Sequence, residues 1–151
     1  MKIINVKCDI LEIDCQVICH QVNCMGAMRS GVAKAIREKW PAVYKTYLLG
    51  LKLKSETLGT ISVTDVDKNK HVVNMYSQYE YGYDGKRYTS YDAFCSCLEE
   101  IKAFAIYNDI KSIAFPYNIG CCRGGANWNV IYAMIESVFN DTELDIYICQ
   151  L

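Results

Sequence analysis

The sequence predicts a single three-layer α/β/α domain with a mixed central sheet, spanning residues 1–151. Three observations predict it. Short β-rich runs alternate with segments of helical period, the pattern of strands covered by helices. One pair of runs is joined by a short polar turn, so an antiparallel hairpin interrupts the alternation. The length of 151 residues suits one domain and allows a real core without cross-links.

The elements follow in order. Lys2 to Ile10 contains an Ile-Ile-x-Val run and reads as a strand. "QVICHQV", Gln16 to Val22, alternates apolar and polar residues and reads as a second. "NCMGAMRSGVA" is a loop that turns helical at Gly31, where Val32, Ala33, Ile36 and Trp40 share a face. Pro41 interrupts or restarts this helix, which continues through Tyr44, Tyr47 and Leu48 to Gly50. Gly59 to Val66 and His71 to Ser77 form the hairpin around "DVDKNK". After a tyrosine-rich loop, Thr89 and Asp92 make a capping-box-like helix start. Phe94, Cys97, Leu98, Ile101, Phe104 and Ala105 mark that helix's apolar face. Ser112 to Tyr117 is nearly all apolar, as expected of a central strand covered on both faces. Asn127 caps the next helix, and Leu144 to Cys149 closes the sheet.

Composition narrows the function. Hydrophobic residues make up 52% of the chain and there are two prolines, which indicates a globular protein. The formal charge is −1, so bulk attraction to nucleic acid or to a membrane is not expected. No apolar stretch approaches the length of a membrane span. The nine cysteines are odd in number, mostly lie in apolar runs, and follow no secretion signal. Cys19, Cys95, Cys97 and Cys149 read as small core residues in a reduced, cytoplasmic setting. There is no CxxC pair, and His20 and His71 lack finger spacing, so neither a metal nor a cofactor is implied.

Two loops leave strands and run into helices, Asn23 to Gly31 and Gly120 to Asn127. Both carry glycines where backbone must come close to something. In such folds ligands bind beyond the C-terminal strand ends, and amides at a helix start make an anion site. Two such loops facing each other would grip a diphosphate. The alternative is that the glycines serve only tight turns and packing. Neither loop is a Walker motif or a GxGxxG fingerprint.

The content and order of four segments add more. "NVKCDIL", "HQVNCMGAMRSGVAKAIREKWP", "VVNMYSQ" and "IGCCRGGANW" together resemble the macro domain, the ADP-ribose-binding module, over nearly the whole chain. The resemblance is nearest to small macro proteins that remove ADP-ribosyl groups or dephosphorylate ADP-ribose 1″-phosphate. It implies that Asp9, with Ile10 beside it, receives the adenine amino group, and that Asn23 helps hold the distal ribose. Gly26, Met28, Arg29, Ser30, Gly31 and Val32 match the first phosphate-side loop. Ile119, Gly120, Cys121, Cys122, Arg123, Gly124 and Gly125 match the second, while Trp128 matches a packing tryptophan.

Departures from the family bear on mechanism. Cys8 replaces a usual glycine, and Arg29 and Ser30 occupy a glycine-rich stretch. One branch of the family cleaves glutamate esters with a strand-end lysine and a second-loop aspartate; here Gln78 and Gly124 stand at those positions. Glutamine cannot form a Schiff base. His20, Asn23, Cys24 and Gly26 share an H-x-x-N-C-x-G arrangement with phosphatases of this family, in which the histidine is implicated in catalysis. His20 is therefore the catalytic candidate, as general acid or water-orienting group, against the alternative of a hydrogen-bonded core histidine.

Arg29 and Arg123 interrupt the phosphate-side loops and suggest a second anion, a terminal 1″-phosphate, unless they simply face solvent. Cys121 and Cys122 lack Cx5R spacing and a paired base, so they read as loop residues rather than nucleophiles. The loop 79–91, with Tyr79, Tyr81, Tyr83, Tyr88 and Tyr91 near Lys86 and Arg87, reads as a cleft rim or as a plain structural loop, with RNA stacking a third option. The expected ligands are ADP-ribose, ADP-ribose 1″-phosphate or an ADP-ribosylated macromolecule, with nucleic acid expected only as a modified substrate. The expected activity is hydrolysis of such a derivative; the rival is a non-catalytic ADP-ribose reader or sponge.

Overall fold

A computed structural model describes residues 1–53 and 56–151. Six strands form one sheet in the order β1-β6-β5-β2-β4-β3, where β1 is Lys2–Lys7, β2 Val17–Val22, β3 Ile61–Asp67, β4 Lys70–Tyr76, β5 Ser112–Pro116 and β6 Asp145–Gln150. All neighbours are parallel except the β3–β4 hairpin, so the sheet is mixed as the sequence predicts. The hairpin turns at Lys68 and Asn69, with Asn69 at φ 59°, a conformation asparagine tolerates.

Helices cover both faces. α1 (Gly31–Lys39) and α2 (Pro41–Leu53) lie on one side; α3 (Tyr91–Tyr107) and α4 (Trp128–Phe139) lie on the other. Strand alternation sorts the core between these layers. Val17 and Cys19 of β2 join Phe94, Leu98, Ile131 and Ile135 under α3 and α4, while Ile18 and Val22 join Ile36, Val43 and Tyr47 under α1 and α2. Pro41 restarts the helix rather than bending it. Trp40 breaks the run, and Pro41 takes the first helical position of α2, where its missing N–H costs nothing.

Some expected boundaries shift. β1 ends at Lys7, and Asp9 and Ile10 fall in the turn that follows. The α3 cap is Ser90, not Thr89: the Ser90 hydroxyl accepts from Ala93 N at 3.1 Å. Thr89 is turned inward to a polar cluster that local spacing could not foresee. Cys19, Cys97 and Cys149 are buried, Cys95 is half-buried against the core, and all nine cysteines are free thiols. No described helix is long and apolar enough to cross a membrane.

Candidate functional site

The chain builds outward from β2 in one direction to β4 and β3, then returns to place β5 and β6 on the other side. The boundary between β2 and β5 is thus the point where strand order reverses. These strands pair only at Val17–Ile113 and Ile18–Ala114, although β2 runs to Val22 and β5 to Pro116. Past Ile18 and Ala114 the two strands are unpaired, at the position where α/β folds place a ligand crevice. Loop 1 (23–30) leaves β2 on one lip and loop 2 (117–127) leaves β5 on the other.

Loop 1 is braced from α2. Tyr47 Oη donates to Asn23 O at 2.7 Å and Asn23 Oδ1 at 2.8 Å, and accepts from Gly26 N at 3.0 Å. Tyr44 Oη donates to Gly26 O at 3.1 Å. Asn23 closes the loop on itself, accepting from Met25 N at 2.9 Å and donating to Ala27 O at 2.9 Å. Gly26 needs its φ of +81° here, a conformation other residues adopt with strain. The next three amides, of Met28, Arg29 and Ser30, meet no acceptor among the described residues. Ser30 is the N-cap of α1 yet its side chain makes no capping bond, so the first turn also keeps free donors.

Loop 2 presents a matching set. The N–H groups of Cys122, Arg123, Gly124 and Gly125 meet no acceptor among the described residues. The loop is shaped by Asn118, Gly120 and Gly125, all at positive φ, and closed by Ala126 N donating to Gly120 O at 3.0 Å. Gly124 is buried against the tyrosine-rich loop: its carbonyl accepts from Tyr88 N at 2.8 Å and Thr89 N at 3.0 Å. A Cβ there would collide with Thr89 Oγ1 and Gly120 O, so no side chain fits without displacing the loop.

Beneath loop 2 lies a polar cluster. Gln21 Nε2 donates to Gln78 Oε1 at 2.6 Å and Thr89 Oγ1 at 2.9 Å, while Gln21 Oε1 accepts from Ser77 Oγ at 2.7 Å. Thr89 Oγ1 donates to Gly120 O at 2.8 Å. Through Gln21 and Thr89 the cluster ties β2, β4 and loop 2 together. A pairing of Gln78 with Thr89 closes the base of the tyrosine-rich loop, and Cys24 N donates to Tyr79 O at 2.8 Å. That loop therefore contacts both lips of the crevice. Sequence reasoning missed Gln21, Thr89 and Tyr47. Alternation along "HQV" does place Gln21 opposite His20, but only the fold shows that Gln21 faces loop 2.

The remaining candidates divide. Asp9 is exposed and its Oδ1 accepts from Leu11 N at 3.0 Å. Arg29, Gly31, Cys122, Arg123 and Gly125 are exposed, and Val32 is half-buried. Ile10, Met28 and Ile119 are buried in the core, so their side chains are not presented to solvent. Arg123 rests over the Tyr83 ring at 4.8 Å from its centroid. Cys121 Sγ is directed to Ile119 O at 3.4 Å, and burial pushes its thiol up to about 11, which argues against a thiolate at neutral pH. Trp128 packs edge-on against Tyr117 and Tyr132.

His20 lies apart from the two loops. It lies inside β2, is 1% exposed, and faces α2. Its Nε2 bonds Asn74 Oδ1 at 2.6 Å, and Asn74 Nδ2 reaches Ser62 Oγ and Val43 O. Burial pushes its pKa down to about 4, against the raising effect of the Asn74 hydrogen bond. A buried ring bonded to Asn74 has the surroundings of the core-histidine alternative.

Comparison with known proteins agrees with this architecture. The macro domain family model matches residues 19–135, most of the chain and both loops. The chain belongs to the macro domain family. This macro domain is 27% identical over 134 residues to a Mycobacterium tuberculosis protein named DNA ADP-ribosyl glycohydrolase; the match covers 87% of this chain and 37% of that relative. The chain thus spans little more than a third of that curated relative's length. A Bacteroides thetaiotaomicron protein of unknown function superposes with a TM-score of 0.90 at 27% identity, over 100% of this chain and 99% of the other. Thermosipho africanus DarTG in complex with ADP-ribose shares the fold, with a TM-score of 0.83 at 19% identity over 98% of this chain and 41% of that one.

Proposed function

We propose that this macro domain binds ADP-ribose with its diphosphate between loops 1 and 2, and hydrolyses the bond joining an ADP-ribosyl group to a macromolecule. One observation carries the reading: two runs of unpaired backbone amides, Met28–Ser30 and Cys122–Gly125, follow the C-terminal ends of β2 and β5, the strands that flank the strand-order reversal. Preorganised amides bind a diphosphate without reorganising and hold the scissile bond in place. Asp9 would receive the adenine amino group. Asn23, whose side-chain oxygen is committed to loop 1, would act on the distal ribose chiefly by holding that loop in shape.

Calorimetry with ADP-ribose tests the binding. Saturable binding that Gly124→Val abolishes supports it, and no heat at millimolar ligand refutes it. Turnover is then measured on an ADP-ribosylated oligonucleotide and on ADP-ribose 1″-phosphate. The mycobacterial relative's name favours the first substrate. The exposed guanidinium groups of Arg29 and Arg123 at the loop tips keep the terminal phosphate as the comparison. If alanine at both weakens ADP-ribose and its 1″-phosphate equally, a phosphate-specific role is lost.

A reader without turnover is the second reading. It is favoured by a specific arrangement: His20 is sealed, the Gln78 side chain donates to Glu80 O at 2.9 Å and receives Gln21, and Gly124 carries no side chain. Tight binding with no product from either substrate would establish it.

A further inference from the structure

An open depression of about 530 Å³ lies between α1 and α2 and borders the end of loop 1. Its charged lining is Arg29, Lys34, Arg37 and Lys45 against a single carboxylate, Glu38. That is four cations to one anion, on a chain whose formal charge is −1. The cations are little neutralised. Lys34 and Glu38 are 3.9 Å apart and well exposed, a weak pair, and among the described residues Arg29 and Lys45 have no ion-pair partner. The Arg37 guanidinium lies 3.8 Å from the Tyr44 ring centroid, a cation–π contact that uses none of its N–H donors in a hydrogen bond to the described residues.

This surface adjoins loop 1. Arg29 belongs to loop 1, and Tyr44, a wall of the depression, holds Gly26 of the same loop through its hydroxyl. We infer that the depression is a subsite for the phosphodiester backbone of a nucleic-acid strand bearing the ADP-ribosyl group. The inference rests on the proposed site and names its substrate class. A ligand held at loop 1 brings its attached chain across the adjoining surface. Spaced cations with an arginine–tyrosine contact suit repeating phosphates and bases. Coulomb attraction here is local, so it coexists with the chain's near-zero net charge.

The test uses an unmodified single-stranded DNA 12-mer, read by fluorescence anisotropy across a salt series, with free ADP-ribose binding measured alongside. Lys34→Glu/Lys45→Glu changes two exposed side chains outside the ADP-ribose site; Arg37→Ala is the second variant. The double variant is expected to bind the oligonucleotide at least about tenfold more weakly. Its slope of log affinity against log salt should be shallower by about 1.4, the value for two lost single-strand phosphate contacts. ADP-ribose affinity should not change. Absent oligonucleotide binding by the wild type overturns the inference. So does unchanged affinity in both variants, or equal competition by polyglutamate of matched charge. Absent ADP-ribose binding by the wild type would refute the crevice reading and leave the oligonucleotide result standing.

Discussion

His20 offers a test in which structure and chemistry point to one curve. Its folded pKa is pushed from 6.5 to about 4, first by burial. The sign follows from proton counting: below 6.5 the unfolded chain takes up a proton that the folded ring refuses until about 4. Stability is therefore fully present above 6.5 and declines as pH falls toward 4. The loss is about 2 kcal/mol at pH 5 and about 3 kcal/mol at pH 4, a large part of a domain's usual margin. The perturbation is His20→Gln, which keeps a polar group opposite Asn74 and cannot titrate. Urea unfolding of both proteins at half-unit steps from pH 7.5 to 4.5 supplies the data. The carboxylates contribute equally to both curves and cancel in the difference. The wild-type minus variant difference should fall by about 2 kcal/mol between pH 7 and 5. Parallel curves would mean that the ring titrates normally, and the buried, neutral assignment would be wrong.

Three other outcomes follow from the loops. Gly124→Ala should cost about 1–3 kcal/mol by overpacking against Thr89 and Gly120 and weaken ADP-ribose at least about tenfold; calorimetry and chemical denaturation check both. Tyr47→Phe removes the hydroxyl joining Asn23 to Gly26 and should lower stability by about 1–3 kcal/mol, with faster hydrogen exchange confined to loop 1 and its contacts. Iodoacetamide at pH 7 should modify the exposed Cys122 well before Cys121, and Cys122→Ser should retain whatever turnover the wild type shows; loss of turnover in this variant would restore a thiol mechanism.

Much of the architecture was legible because it is written in local patterns. Alternation in "QVICHQV", the helical spacing from Val32 to Trp40, the polar turn between two β-rich runs and Asn127 as a cap each depend on neighbours in the chain, and each is found in the structure. The two glycine loops were legible as turns too, since four of their glycines, Gly26, Gly31, Gly120 and Gly125, take the positive φ that glycine permits. Long-range contacts decided the rest. Thr89 carries the spacing of a cap but is drawn into contact with Gln21 and Gly120, and Ser90 caps instead. His20 carries the spacing of a catalytic residue, but the sheet order turns its face of β2 toward α2.

The sequence by itself determined most of the strands, helices and glycine turns, because periodicity and backbone permissiveness are properties of adjacent residues, and four of its segments carry the resemblance to the family. Only the tertiary structure decided which face of β2 meets the crevice, where β2 and β5 part, and which amides are left without partners. Those depend on which strands lie side by side, and strand neighbours are chosen by the burial of the whole core.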